Sequence, residues 1–383
     1  MRFRTTRCAA LVLLLLGCTQ ASARPRTSPV TVEELLSGTA LGERQPAQAL
    51  VEEAEILAVS PEMVRFLDSY VDRGAGSFVK LHQLLYAIIT EGSFGLEYDD
   101  RTRTAAQTFA ERRGNCLSFS NMFVAMARDV GLNVSYQEVD IPPDWSFDSD
   151  VYVLNRHVNV HVELGITGEH VVDFNIEDFR ASYDRRVIPD SRAFAHYYNN
   201  MGTEHMLAGD RATALAYFRR ALVGSDRSFS PAWTNLGTLS RRYGLTSHAE
   251  AAYLQALTVD RHDDVAVSSL AGLYHRRGET ELADAYLKKV INHRKQNPYY
   301  RYHLAREAFF SGDYATAISH LRYAARKKPN EDLFCFLLGV AYLQSGDKAA
   351  ARRWLTRAEE VAATDALKRN YSSKMEALLS ASH

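Results

Sequence analysis

Apolar residues change their spacing several times along this chain. Three arginines (Arg2, Arg4, Arg7) precede an unbroken apolar run from Ala9 to Leu16, which ends at Gly17-Cys18. Eight residues make about 12 Å of helix, far short of a hydrocarbon core of roughly 30 Å. Residues 1–17 are therefore expected to be an export signal rather than a spanning helix. From 18 to 46 the periodicity fades into Ser, Thr, Ala, Pro and Arg, the composition of a flexible tether. The pattern is helix-rich from 47 to about 112. At Cys116 a further helix begins, with apolar residues recurring at three and four and Gly131 placed to cap it. Alternation then takes over. Val134, Tyr136, Val139 and Ile141 predict a strand stopped by Pro142-Pro143. Two more strands, Tyr152 to Leu164 and Val171 to Phe174, are joined by a turn through Gly165-Ile166-Thr167-Gly168.

From about 195 the chain repeats itself. Gly209, Gly244, Gly278, Gly312 and Gly346 are spaced by 35, 34, 34 and 34 residues. Upstream of each lies an apolar residue followed by a small one: Met201-Gly202, Leu236-Gly237, Leu270-Ala271, Leu304-Ala305 and Leu338-Gly339. Five residues after each glycine sits Ala214, Ala249, Ala283, Ala317 or Ala351, and four further a bulky residue: Phe218, Tyr253, Leu287, Leu321, Leu355. Small residues let two antiparallel helices approach, the glycine supports the turn, and stacking buries the faces that one unit leaves bare. This pattern resembles the tetratricopeptide repeat over 195–362, in five units. The resemblance implies a groove for a protein or peptide partner. A last helix in 363–383, with Leu367, Tyr371, Met375 and Leu378 at helical spacing, is expected to cap the array.

Two further resemblances concern chemistry. Leu15-Leu16-Gly17-Cys18 resembles the lipobox of bacterial lipoproteins. That implies a lipidated Cys18, membrane attachment through it, and, with Thr19 following, an outer-membrane position facing the periplasm. A plain signal cut near Ala21-Ser22-Ala23 is the alternative. Thr104-Ala105, Arg113-Gly114-Asn115-Cys116, Gly131-Leu132, Arg156-His157 and Val172-Asp173 together resemble the transglutaminase-like, papain-related domain, with its core over about 80–178 of the region 47–194. The fold class expected is therefore an α+β transglutaminase-like domain followed by an all-α tetratricopeptide superhelix.

The resemblance implies Cys116 as nucleophile, His157 as base and Asp173 as its orienting carboxylate. Such a cysteine acts as thiolate, which a helix N-terminus and a neighbouring imidazolium favour. His161 is the alternative base. A two-residue hairpin at Ile166-Thr167 would set Asp173 opposite Val160, and one residue more would set it opposite His161; the family spacing favours His157. The Cys116 N–H is one candidate oxyanion donor. Gln107 is a polar residue upstream whose position the sequence does not fix. His157 and His161, about 13 Å apart on one strand, do not make a metal pair, and no cofactor motif is present.

Composition narrows these readings. The 383 residues are 46% hydrophobic and 24% charged, as in ordinary folded protein. Lys and Arg number 45 against 46 Asp and Glu, so no basic excess suits a nucleic acid; loss of residues 1–17 takes the net charge from −1 to about −4. Four cysteines cannot form a disulfide scaffold. Cys8 falls in the signal and Cys335 among apolar neighbours, as a core thiol. The expectation is an envelope-anchored thiol enzyme acting on amide bonds, either protease, amidase or acyl transferase. The alternative is an inactive lipoprotein scaffold that binds through both domains.

Overall fold

The computed structural model describes residues 29–42, 46, 49–89, 94–141, 156–165, 168–174 and 183–380. The expected export signal with Cys8 and Cys18, the loop after Ile141 and the turn residues Ile166-Thr167 lie outside them.

Among the described residues, six α-helices and four short ladders make the N-terminal part. The helices are α1 (Val32–Ser37), α2 (Glu53–Ile56), α3 (Pro61–Tyr70), α4 (Ser77–Ile89), α5 (Ala105–Glu111) and α6 (Cys116–Asp129). Strands β1 (Glu97–Tyr98) and β2 (Arg113–Gly114) pair in parallel. Strands β3 (Asn133–Asp140), β4 (Arg156–Glu163), β5 (Glu169–Val172) and β6 (Arg185–Ile188) form an antiparallel sheet in the order β5-β4-β3-β6. On β3 and β4, Val134, Tyr136, Val158, Val160 and Val162 alternate into a core shared with Met122, Phe123 and Met126 of α6. The Tyr136 hydroxyl donates to Asn121 Oδ1 at 2.8 Å, and Ser120 Oγ donates to the Val158 carbonyl at 3.1 Å, which locks α6 onto the sheet. β6 escaped sequence reading because a short edge strand with three exposed residues carries no alternation.

The tether expectation for 18–46 does not hold over 29–42. Thr31 caps α1 by accepting from the Glu34 N–H at 3.1 Å, and Leu35 and Leu41 are buried. Further on, the Val51 N–H meets the Tyr217 hydroxyl and Glu52 pairs with Arg220 at 2.5 Å. The few apolar residues of this segment pack on the distant repeat helices rather than on each other, so a local window finds no period.

The C-terminal part is a run of paired helices: α7 (Asp190–Leu207) with α8 (Arg211–Arg219), α9 (Ser230–Arg242) with α10 (Thr246–Val259), α11 (Asp264–Arg276) with α12 (Thr280–Gln296), α13 (Pro298–Phe310) with α14 (Tyr314–Lys327), and α15 (Asp332–Gln344) with α16 (Lys348–Val361), followed by α17 (Asp365–Ser380). The five turn glycines all have φ between 74 and 90°, which L side chains rarely adopt. Within pairs, small meets bulky: a Cβ on Gly202 would lie 2.6 Å from the Phe218 ring, one on Gly237 2.6 Å from Tyr253, and one on Gly339 2.7 Å from Leu355. Leu287 departs from this pattern, standing 47% exposed, while α12 buries Ala283 and Val290. Its neighbour α13 buries Ala305, so the apolar core is interrupted there. The capping role expected of α17 rests on Tyr371, buried and hydrogen-bonded to Asp332 at 2.8 Å; Leu367 is exposed.

No linker separates the two parts at 194/195. Helix α7 runs through that point, with Ala193, Ala195, His196, Tyr197 and Tyr198 all buried. One hydrophobic core extends from Leu35 to Ala266. At its edge Glu138 of β3 accepts from Arg186 at 2.5 Å, Arg192 at 2.8 Å and His196 at 2.7 Å, and Arg192 reaches Asp226 at 3.0 Å. Burial alone would raise the Glu138 carboxyl, but the hydrogen bonds from His196 and Arg192 and their charges hold it well below the usual range.

Candidate active site

Cys116 owes its place to a tight local sequence. Helix α5 ends at Arg112, which takes a left-handed φ of 54°, and the β1–β2 ladder pins Arg113-Gly114 immediately after it. Asn115 then caps α6, its Oδ1 accepting from the Ser118 N–H at 2.9 Å and its Nδ2 donating to Thr102 at 2.8 Å. Ser118 Oγ also bonds Asn115 Oδ1 at 2.9 Å and accepts from the Arg103 N–H at 2.9 Å. Cys116 is thus the first residue of a fourteen-residue helix, half-buried, with its thiol free of any disulfide. First-turn N–H groups have no partner within a helix and carry partial positive charge, which suits both a thiolate and an oxyanion.

The hairpin after β4 decides what meets this thiol. Leu164 N–H bonds the Gly168 carbonyl at 2.8 Å, closing a three-residue turn, with Gly165 at a φ of 65°. The ladder accordingly runs Val160↔Val172, His161↔Val171, Val162↔His170. Continued by one step, this register sets Asp173 against Asn159, not against Val160 or His161 as the sequence-based hairpins supposed. Asp173 then points along the face that His157 and Asn159 share. His157 Nε2 lies 2.8 Å from both Asp173 oxygens, so it carries the hydrogen and leaves the other ring nitrogen for Cys116. Burial is the largest influence on His157 and acts to lower its pKa. Hydrogen bonds to Asp173 and to Cys116, with their charges, outweigh it and raise the imidazole from 6.5 to about 9. Cys116, His157 and Asp173 therefore form one hydrogen-bonded chain.

Residues 68–168, which hold Cys116 and His157, match the transglutaminase-like superfamily. The chain carries a transglutaminase-like domain. Residues 308–369 match the tetratricopeptide repeat, and the chain carries that repeat too. Among solved structures, MamA is 20% identical over 44% of this chain and 91% of its own, with a TM-score of 0.24. YrrB, described as a tetratricopeptide protein with an unusual peptide-binding site, is 18% identical over 47% of this chain and 92% of its own, also at 0.24. The Cut9–Hcn1 tetramer of APC/C is 22% identical over 48% and 36%, at 0.25. No curated protein sequence matches the chain at a significant level.

The other polar residues of the transglutaminase-like domain fall into place around the three. His161 turns its Nδ1 to Glu169 at 3.4 Å and pairs with Val171, two residues along β4 from the position that faces Asp173. Gln107 is exposed and closes the capping box of α5, its Oε1 accepting from the Thr104 N–H at 3.0 Å. Sequence reasoning passed over Asn159, whose Nδ2 donates to Asp173 Oδ2 at 2.8 Å from a position 1% exposed. The signal was available: in His157-Val158-Asn159 alternate residues of a strand share a face. Among the described residues no three His, Cys, Asp or Glu side chains converge as a metal would require. Cys335 is fully buried in α15, and that burial pushes its thiol up to about 11.

Proposed function

We propose that this chain is an envelope protein, anchored through a lipidated Cys18, that performs thiol-dependent chemistry on amide bonds. The observation that carries this reading is the His157 imidazole, hydrogen-bonded to Cys116 and Asp173 and raised to about 9. At neutral pH such a ring holds its proton, and the Cys116 sulfur at a helix N-terminus can stand beside it as thiolate. The thiolate attacks the amide carbonyl carbon; the carbon–sulfur bond forms and the oxygen takes up charge toward the N–H of Cys116. His157 gives its proton to the departing amine as the carbon–nitrogen bond breaks. Water or a second amine, deprotonated by His157, then resolves the thioester and returns the cysteine. Asp173 holds the ring in the tautomer that both steps use. The repeats are proposed to bring a protein or peptide within reach.

Alkylation of the native protein tests this directly, because Cys335 is buried. Iodoacetamide should modify Cys116 rapidly well below the free-thiol pKa of about 8.5, and His157→Ala should slow it at least tenfold. A Cys116 that reacts like a free thiol, indifferent to His157, would sink the proposal. Cys18→Ser should move the protein from the membrane to the soluble fraction, and unchanged fractionation would refute the anchor.

A further inference from the structure

The buried amide beside the triad has no assigned part. Asn159 is 1% exposed, and its Nδ2 donates to Asp173 Oδ2 at 2.8 Å while its Oδ1 has no partner among the described residues. A carboxylate only accepts, so contact with Asp173 fixes which end of the amide faces it. A buried carbonyl oxygen left unpaired weakens a fold, which makes this side chain a poor choice for stability alone. Asp173 meanwhile lies at the end of the hairpin, one residue past β5. Its Oδ1 and Oδ2 both sit 2.8 Å from His157 Nε2. The bond from Asn159, planted in the middle of β4, ties Oδ2 of that carboxylate to the strand that carries His157.

We propose that Asn159 is the positioning residue of this site: it clamps Asp173 so that the carboxylate holds His157 against Cys116. The inference rests on the thiol-enzyme reading above. Asn159 touches no reacting atom and acts through Asp173.

Three variants test it, with the rate of Cys116 alkylation against pH as readout and thermal unfolding as the check on folding. Asn159→Ala should slow alkylation about tenfold at pH 6 to 7. Asn159→Asp carries the sharper signature. Two carboxylates in contact share one proton, as paired carboxylates do. While that proton is held, the new side chain donates to Asp173 as the amide did; once it is lost, repulsion drives Asp173 from His157. Alkylation of Asn159→Asp should therefore approach the wild-type rate at low pH and fall to the level of Asn159→Ala as pH rises, a limb the wild type lacks. Asn159→Ser, which keeps a shorter donor, should fall between and replaces Asn159→Ala if that variant does not fold. A folded Asn159→Ala or Asn159→Ser with the wild-type profile, or an Asn159→Asp profile without the falling limb, overturns the proposal. If the Asn159 variants match wild type while His157→Ala is slow, the clamp alone fails; if His157→Ala also matches, the thiol-enzyme reading fails.

Discussion

Gly114 lies against Ser118 so closely that a Cβ on it would stand 2.5 Å from the serine Cβ. That contact ties the residue two before the thiol to the serine that braces the helix cap. Gly114→Ala must push Ser118 aside, and Ser118 holds both Asn115 and the Arg103 N–H. The expected cost is about 1–3 kcal/mol of stability, read by urea unfolding, with roughly tenfold slower alkylation of Cys116. Gly272 is the contrasting case. A Cβ there would meet the flexible end of Arg276 at 3.4 Å, inside a helix, so Gly272→Ala should stabilise by up to about 1 kcal/mol.

A pH dependence follows from His157. Its pKa is raised from 6.5 to about 9 on folding, so the protonated ring favours the folded chain fully below pH 6.5 and loses that contribution as pH passes through 9. The gap in unfolding free energy between wild type and His157→Gln should shrink across that window. A gap that widens would contradict the raised imidazole. Turnover should decline on the alkaline side near the same value.

The acidic side belongs to Glu138. Its carboxyl is held below the ordinary 4.5, so its contribution is present above that value and drains away as the solution is acidified. Glu138→Ala removes the buried carboxylate that His196 and Arg192 share and should cost about 3–5 kcal/mol at neutral pH. Because the sheet and the first repeats share a core, Trp233 fluorescence and native Cys116 reactivity should be lost in one transition. Two separate transitions would contradict the shared core.

What could be read in the sequence was whatever acts over short spacing. The turn glycines, the small residues that receive Phe218 and Tyr253, and Cys116 at a helix start all announce themselves within a few residues of their cause. Asp173 was legible as a residue and the family spacing favoured His157 as its partner, but the strand register was not legible, because a one-residue change in the turn reassigns the whole ladder. The docking of 29–42 and the exposure of Leu287 depend on surfaces supplied from far along the chain. Local periodicity carries no record of them.

The interrupted core between α12 and α13 gives a further expectation. Stability in a repeat array passes from neighbour to neighbour, so a poorly buried junction isolates what lies beyond it. Backbone amides of α13 to α16 should exchange hydrogen faster than those of α9 and α10, where Trp233, Leu236 and Tyr253 are fully buried. Asp184 and Lys328, 2.8 Å apart, bridge from the sheet to the fourth pair, but Asp184 is largely exposed. Lys328→Ala should change stability by less than about 1 kcal/mol.

Helix α7 sets the limit of what can live apart. A fragment stopping at residue 194 would cut this helix and strip Tyr197, Tyr198 and Phe218 from the packing that also holds the sheet. The smallest piece expected to fold alone runs from about 29 to about 277, taking in two and a half repeat units, and a fragment of 29–194 should fail to fold. The thiol domain has no border of its own on that side: the first repeats are its interior, and the array becomes a separate body only beyond them.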